Sequence, residues 1–238
     1  MNLPRRSFLF EFGFPVAVAA LVGAAACGGM AMAADAVALD GAGAPAGRTI
    51  LFFGDSLTAG YGLDDPATEA WPALIGTRLK GLPGPPWKVI NAGLSGETTS
   101  AGLRRVDWVL RQPADVFVLA LGGNDGLRGI GAAVTKSNLE AIIKKVRAKN
   151  PKTVIVLAGM KMPVSMGSYA ADFEAVFSGI AGANKALVSI PFLLEGVGGV
   201  ASLNQADAIH PNAEGHRRVA DHAWKTLEAV VGKVPGQD

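Results

Sequence analysis

Ser56 is a candidate nucleophile because of its place in the chain. The apolar run 50–53 predicts a buried strand, and Gly54 after it lets the backbone turn sharply. Ser56 is therefore expected at the carboxyl end of a strand, which is the edge where open α/β sheets bind ligands. Taken by themselves, Asp55 and Ser56 would be explained more simply as turn and helix-capping residues.

A serine hydroxyl is a poor nucleophile at neutral pH and needs a base, for which the chain offers three histidines. His210 follows Asp207 by three residues. One turn of chain can therefore bring the Asp207 carboxylate to one ring nitrogen and leave the other nitrogen for Ser56. His216 and His222 fall within a helical pattern and have no such neighbour, which favours packing or surface roles for both.

Attack on an ester carbonyl creates an oxyanion, so catalysis needs hydrogen-bond donors that already point at it. Gly93 and Asn124 each follow a predicted strand, and they flank Ser56 if the first strand lies between the second and the third. The predicted donors are then the backbone N–H groups of Ser56 and Gly93 and the side-chain amide of Asn124. Asp55 and Asp125 lie beside these residues, and we predict that they hold a turn and cap a helix.

Five apolar runs alternate with helical patterns along the chain, and they predict strands at 50–53, 87–91, 115–121, 153–157 and 186–190. Continuous apolar strands are typical of a parallel sheet that is covered by helices on both faces. Among the strand orders open to such a chain, 2-1-3-4-5 places the second and third strands on either side of the first. The predicted fold class is α/β, with three α/β/α layers around a five-stranded parallel sheet.

Two helix boundaries can be predicted from local signals. Ser137 followed by Glu140 has the form of a capping box, which predicts a helix that starts there and closes at Asn150. The last helix is expected to begin near Pro211 and Asn212.

Composition limits the classes of function. The 238 residues are enough for one well-packed domain and few for two. Half of the residues are hydrophobic, 18% are charged and the formal net charge is +2, so we expect no nucleic acid as a partner. The glycine-rich turns lack the Gly-Lys-Ser/Thr of a phosphate loop, and the histidines lack metal-ligand spacing. We therefore expect neither a nucleotide nor a metal.

Residues 1–33 have the features of an export signal. Arg5 and Arg6 precede an apolar stretch, and 31–33 supply small residues at the spacing that a signal peptidase accepts. The arginine pair resembles a twin-arginine signal; a general secretory signal, a retained anchor and lipidation at Cys27 are the alternatives. We predict a flexible lead at 34–47 and a single domain at 48–238, periplasmic or secreted, with no stable membrane span in the mature form.

Four blocks of sequence resemble those of the GDSL, or SGNH, hydrolases. In the family's order they are Gly54-Asp55-Ser56-Leu57, Asn91-Ala92-Gly93, Gly122-Gly123-Asn124-Asp125 and Asp207-Ala208-Ile209-His210-Pro211-Asn212. The first block is moderately specific by itself and the last is weak, but four in order are a strong signal. The segments 61–62, 69–74 and 122–129 also resemble the bacterial subgroup of periplasmic arylesterases and multifunctional acyl-thioesterase/lysophospholipases.

The resemblance implies a flavodoxin-like α/β/α fold without a metal or an organic cofactor. It also implies Ser56 as nucleophile, His210 as base and Asp207 as the acid that orients the base, with Gly93 and Asn124 in the oxyanion hole. The expected function is that of a serine esterase on short- to medium-chain acyl esters or thioesters, through an acyl-Ser56 intermediate.

The segment 160–169, where the subgroup has its substrate-facing loop, is unusually rich in methionine. Because methionine adapts to varied apolar shapes, Met160, Met162, Met166 and Tyr169 are predicted to bind substrate, together with Leu127. The same segment could equally cover the sheet.

Two alternatives to an esterase stay open at this point. One is a carbohydrate O-deacetylase on the same fold, and the other is an exported flavodoxin-like module that binds an apolar ligand without turning it over. The expected partner is a small-molecule acyl ester or thioester, and the protein is expected to be a monomer.

Overall fold

A computed structural model describes residues 47–234 of the chain. The predicted export signal and all but the last residue of the predicted lead lie outside the described residues. The elements in chain order are β1 (Arg48–Gly54), α1 (Ser56–Ala59), α2 (Pro66–Glu69), α3 (Trp71–Leu79), β2 (Trp87–Gly93), α4 (Thr99–Val109), β3 (Val116–Ala120), α5 (Gly123–Leu127), α6 (Ala132–Lys149), β4 (Val154–Ala158), α7 (Ser168–Ala183), β5 (Val188–Ile190) and α8 (Ala213–Val231).

The five strands form one parallel sheet in the order β2-β1-β3-β4-β5, which confirms the predicted order. The register aligns the last residues of the three strands nearest Ser56. Gly54 at the end of β1 pairs with Gly93 of β2 on one side and with Ala120 of β3 on the other. The turns that follow these three strands therefore leave the sheet side by side.

Helices cover both faces of the sheet, which confirms the predicted three layers. Helix α3 packs against α8, while α6 packs against both α4 and α7. Consecutive side chains of β1 serve opposite layers, as expected for a strand. The Phe52 ring lies edge-on to Trp71 of α3 at a centroid distance of 4.8 Å, whereas Phe53 lies against Gly102 of α4. All three aromatic side chains are fully buried, so this central strand is anchored from both sides.

Helix α6 begins at Ala132, five residues before the predicted capping box, so the predicted start at Ser137 is wrong. Glu140 does not cap the helix but pairs with Lys136 one turn earlier, at 2.5 Å. Nothing in 132–136 opposes a helix, so helix propensity extends it back to Gly131. The predicted start of α8 is confirmed, because Asn212 is its N-cap and accepts a hydrogen bond from the Gly215 N–H.

Three short helices were not predicted: α1, α2 and α5. Helix α2 had a readable signal, since Asp65 caps it and Pro66 takes the first position. Helices α1 and α5 follow β1 and β3 directly, at the edge where the blocks of sequence meet. In the described part of the chain, no helix has the length and apolar character to cross a bilayer.

Candidate active site

Ser56 is the first residue of α1 and is separated from β1 by Asp55 alone. The Asp55 carboxylate caps this helix by accepting a hydrogen bond from the Leu57 N–H at 3.1 Å. A Cβ on Gly54 would lie 2.1 Å from Thr58 Oγ1, so only glycine permits the tight turn from strand to helix. The Ser56 N–H is left at the N-terminus of a helix, where backbone donors have no partner within the helix.

His210 reaches Ser56 across 154 positions of sequence. Its Nε2 lies 2.8 Å from Ser56 Oγ, and its Nδ1 lies 2.6 Å from Asp207 Oδ2. Both residues lie in the loop between β5 and α8, which is stabilised by hydrogen bonds within the loop. Asn204 and Pro211 form an isolated antiparallel bridge, and the Gln205 N–H donates to the His210 carbonyl at 2.8 Å. These contacts fix the position of the loop that carries the imidazole.

Asp207 holds the turn as well as the ring. Its Oδ1 accepts the backbone N–H groups of Ile209 at 2.9 Å and His210 at 3.0 Å. Ala208 takes the left-handed conformation at φ 58°, which is unusual for a residue with a side chain and makes the turn tight enough for these contacts. The hydrogen bonds from the His210 backbone and then from its ring lower the pKa of Asp207 to about 2. The carboxylate therefore stays ionised at neutral pH.

Asp55, the other carboxyl beside Ser56, has the opposite character. Burial raises the pKa of Asp55 to about 7, even though the bond from the Leu57 N–H and the charge on His210 both act to lower it. A carboxyl that ionises only near neutral pH is a poorer partner for an imidazolium than one that is always charged. The environments thus favour Asp207 as the partner of the histidine and leave Asp55 to hold the turn.

Asn124 lies in α5 and donates its side-chain N–H to the Glu97 backbone carbonyl at 3.1 Å. Its neighbour Gly123 lies next to the serine turn, since a Cβ there would be 3.2 Å from Asp55 Oδ2. The register of the sheet and these two contacts place Asn124 at the same edge as Ser56.

The backbone N–H of Gly93, predicted as an oxyanion donor, already has a hydrogen-bond partner in the structure. Its N–H donates to Asn91 Oδ1 at 3.0 Å, and a Cβ on it would lie 2.3 Å from the Ala59 backbone nitrogen. Gly93 is therefore needed where β2 passes close beneath α1, and its N–H is already committed. Three residues later, Gly96 has a left-handed backbone at φ 78° in the loop that ends at Glu97. That loop also meets Asn124, so it offers a second place for a backbone donor.

The model of the GDSL-like lipase/acylhydrolase family matches residues 52–218. The chain belongs to this family. The chain is 39% identical over 189 residues to the esterase TesA of Pseudomonas aeruginosa, a match that covers 78% of this chain and 90% of that protein. It is also 35% identical over 190 residues to the thioesterase 1/protease 1/lysophospholipase L1 of Escherichia coli, with 79% and 87% covered.

A crystal structure of TesA resembles this GDSL-like hydrolase fold with a TM-score of 0.71 and 37% identity. The match covers 77% of this chain and 99% of that one.

Tyr61 is a residue of this GDSL-like site that sequence reasoning missed. Its ring lies 4.7 Å from the His210 ring, and the Gln205 side chain ties its carbonyl oxygen to the histidine loop at 2.7 Å. The side chain is 53% exposed although it is aromatic, so it forms an open wall beside the imidazole. Its position just after the helix that carries Ser56 was the available signal.

The predicted substrate-binding residues are only partly brought to the open edge. Met160 is 3% exposed and belongs to the core, which favours the alternative that this part of the segment covers the sheet; it lies two residues after the end of β4. Tyr169 donates its hydroxyl to the Ile130 carbonyl at 2.7 Å, which joins α7 to the loop between α5 and α6. Met162 packs against α5, while Leu127 is 49% exposed. Met166 is half-buried.

Asp125 acts as a cap, but for a helix other than its own. Its buried carboxylate accepts the backbone N–H of Thr99 at 2.8 Å and the Thr99 hydroxyl at 2.5 Å, at the start of α4. It therefore joins α5 to α4. Within 47–234, no group of three or more His, Cys, Asp or Glu is arranged to hold a metal ion.

His216 is buried and has a structural role in this family member. Its Nδ1 accepts the backbone N–H of Trp71 at 3.2 Å, at the start of α3, which has no capping side chain of its own. Burial, and then the charge on His210, lowers the pKa of His216 to about 4.

Because the folded-state pKa of His216 lies below the value of about 6.5 in an unfolded chain, the unfolded state binds more protons between these values. The stability that neutral His216 contributes is complete above pH 6.5 and is lost as the pH falls toward 4. We expect His216→Asn, whose amide oxygen can still accept from Trp71, to lessen this loss by about 3 kcal/mol. The free energy of unfolding, measured with urea at several pH values from 7 to 4, tests this expectation, and His222→Asn is the control. The same fall in unfolding free energy with pH in the parent protein and in both variants would contradict it.

Proposed function

We propose that the protein is a serine esterase that hydrolyses short- to medium-chain acyl esters or thioesters through an acyl-Ser56 intermediate. The observation that carries the proposal is the continuous line of hydrogen bonds from Asp207 through His210 to Ser56, at 2.6 and 2.8 Å. The names of the relatives, an esterase and a thioesterase/lysophospholipase, support the same reaction class.

In the proposed acylation step, Ser56 Oγ attacks the carbonyl carbon of the substrate while its proton passes to His210 Nε2. The carbonyl double bond opens and its oxygen becomes an oxyanion. Asp207 stabilises the imidazolium through Nδ1, and its lowered pKa means that its charge is available at neutral pH. When the oxyanion collapses, the bond to the leaving oxygen or sulfur breaks, and Nε2 returns the proton to that atom.

Deacylation repeats these steps with water in place of the serine. Water gives a proton to His210 Nε2 as its oxygen attacks the acyl carbon, and the proton then goes to Ser56 Oγ as the ester bond breaks. The products are a carboxylic acid and free enzyme. The same imidazole thus acts as base and as acid in both halves of the reaction.

The proposed oxyanion hole uses the Ser56 backbone N–H, the Asn124 side-chain amide and a backbone donor from the turn after β2. Gly93 was predicted as that donor, and it can serve only if its bond to Asn91 Oδ1 breaks when substrate binds. Gly96 is the alternative within the same loop, because its positive φ turns the backbone and it bears no side chain to block close approach.

Asn124→Ala tests the oxyanion role. We expect kcat to fall by about two to three orders of magnitude with little change in KM, because the amide acts on charge that develops only in the transition state. Asn124→Asp is the matched control for shape, and it should lose at least as much because it keeps the volume but removes the donor. A change confined to KM would contradict the role.

The proposed acyl-binding surface is formed by apolar side chains that stay exposed around Ser56. Leu94, Leu127 and Ile209 are 51%, 49% and 44% exposed, and each lies in or beside one of the blocks of sequence. Isolated apolar residues at a surface need no explanation, but these come from two loops and the end of α5, three segments far apart in sequence. Such a surface suits a flexible acyl chain better than a sugar.

A turnover panel tests the reaction class and the substrate together. We expect nitrophenyl esters of four to eight carbons, and acyl-CoA or lysophospholipid, to be hydrolysed faster than acetylated sugars. A protein that hydrolyses acetylated sugars faster than aryl and acyl esters would be a deacetylase. One that neither turns over any ester nor reacts with a fluorophosphonate would be a binding module, and both results contradict the proposal.

We further propose that 1–33 is an export signal, that 34–47 leads into the domain and that 48–238 is one catalytic domain acting as a monomer outside the cytoplasm. The arginine pair and the small residues at 31–33 support export. N-terminal sequencing of the protein recovered from the periplasm should begin near residue 34; an N-terminus at Met1 would contradict it.

A further inference from the structure

Arg105 of α4 forms hydrogen bonds at both ends of residues 92–97, the segment that leads from the end of β2 into the following loop. Its guanidinium donates to Glu97 through Nε and Nη2, at 2.7 and 2.5 Å, and Nη2 also donates to the Ala92 backbone carbonyl at 2.9 Å. The Glu97 side chain is 1% exposed and that of Arg105 is 21% exposed. A forked, largely buried pair of this kind has a fixed geometry that a surface ion pair lacks.

The two groups that Arg105 holds lead directly to the proposed oxyanion donors. The Ala92 carbonyl belongs to the same rigid peptide unit as the Gly93 N–H, so fixing one fixes the other. Glu97, whose carboxylate Arg105 binds, offers its backbone carbonyl to the Asn124 amide at 3.1 Å. The loop residues 93–96, with Gly96 among them, are enclosed between the two anchor points.

Arg105 is itself held in place by the strand that carries the nucleophile. Its guanidinium carbon lies 4.5 Å above the ring of Phe53, which is the residue before Gly54 in β1. Arg105 therefore contacts the loop after β2 directly, Asn124 through Glu97, and the strand that precedes Ser56 through Phe53.

We propose that Arg105 is a positioning residue of the oxyanion hole, which sets the loop 93–96 and Asn124 through its contacts with Ala92 and Glu97. It does not touch the reacting atoms. Oxyanion donors stabilise the transition state only if they are aligned before the reaction, and a misplacement of about 1 Å can cost about 10² in rate. The proposal rests on the proposed function, because it assigns Arg105 to the oxyanion hole of that reaction.

Arg105→Lys is the variant that tests the proposal. Lysine keeps a positive charge for the buried Glu97 carboxylate but loses the fork that spans Glu97 and Ala92. We expect kcat on nitrophenyl butyrate to fall by about one to two orders of magnitude with KM within about twofold. Arg104→Lys is the matched control, since Arg104 is the preceding residue of α4 and donates to the Ser100 hydroxyl at 3.0 Å on the exposed surface. It should keep the full kcat.

A double-variant comparison separates this proposal from the function on which it rests. If Arg105 acts through Asn124, Arg105→Lys should cost much less in kcat when Asn124 is already alanine. Unchanged kcat in Arg105→Lys, or a loss that simply multiplies with that of Asn124→Ala, would overturn the positioning role. Unchanged kcat in Asn124→Ala would instead overturn the oxyanion hole itself. If Arg105→Lys does not fold, Glu97→Gln provides the same comparison from the other partner.

Discussion

Ser56→Ala is expected to lower kcat on nitrophenyl esters by about six orders of magnitude, to the residual rate that binding and the oxyanion hole supply. The expected loss is this large because the hydroxyl forms the covalent bond and is the group that lies 2.8 Å from His210 Nε2. The fold should survive, since alanine at the first position of α1 leaves the cap from Asp55 to Leu57 in place.

The control is Ser178→Ala, which removes a hydroxyl from the exposed surface of α7, where it donates to the Ala175 carbonyl at 3.3 Å. It should keep full activity and full reaction with a fluorophosphonate, whereas Ser56→Ala should lose both. Thermal unfolding of the three proteins checks that lost activity is not lost folding. Turnover by Ser56→Ala within a factor of about ten of the parent would refute the nucleophile.

His210→Gln is expected to cost nearly as much as the loss of Ser56, about six orders of magnitude in kcat. Glutamine can still fill the space and form hydrogen bonds, but it cannot take the proton from Ser56 Oγ, which lies 2.8 Å from Nε2. Asp207→Asn should cost less, about four orders of magnitude, because it leaves the imidazole in place but without the carboxylate that selects its tautomer.

The combination of variants gives a sharper result than each one alone. Because the three side chains act as a unit, Ser56→Ala with His210→Gln should be no slower than either single variant. His222→Gln is the control for histidine replacement, since His222 is half-buried in α8 outside the line of hydrogen bonds. Activity in His210→Gln that stays near that of His222→Gln would exclude His210 as the base.

The sheet could be predicted from the sequence because its central strands β1, β3 and β4 are apolar runs that are largely buried on both faces, and a parallel order follows from the alternation with helices. The Ser56 and His210 partnership could be predicted for a simpler reason. Only three histidines exist, and only one has an aspartate at the spacing of a turn.

Features that depend on packing rather than on pattern were beyond the sequence. The engagement of Gly93 with Asn91 and the ion pair of Glu97 with Arg105 arise from how a loop folds back on its own helix, which no periodicity encodes. Met160 could not be told apart from a surface methionine, because a side chain in the turn after a strand can point to the core or to the cleft. The start of α6 was missed because the capping pattern at Ser137 predicts a helix start there, although 132–136 contain no Gly or Pro that would end a helix.

The most direct measurement is mass spectrometry of the protein after brief reaction with a fluorophosphonate, followed by digestion and peptide sequencing. The mass of one phosphonyl group should be found on Ser56 alone, and the rate of its addition should collapse in His210→Gln but not in His222→Gln. A label on any other residue, or one that reaches Ser56 at the same rate without the imidazole of His210, would contradict a hydroxyl activated by the histidine beside it.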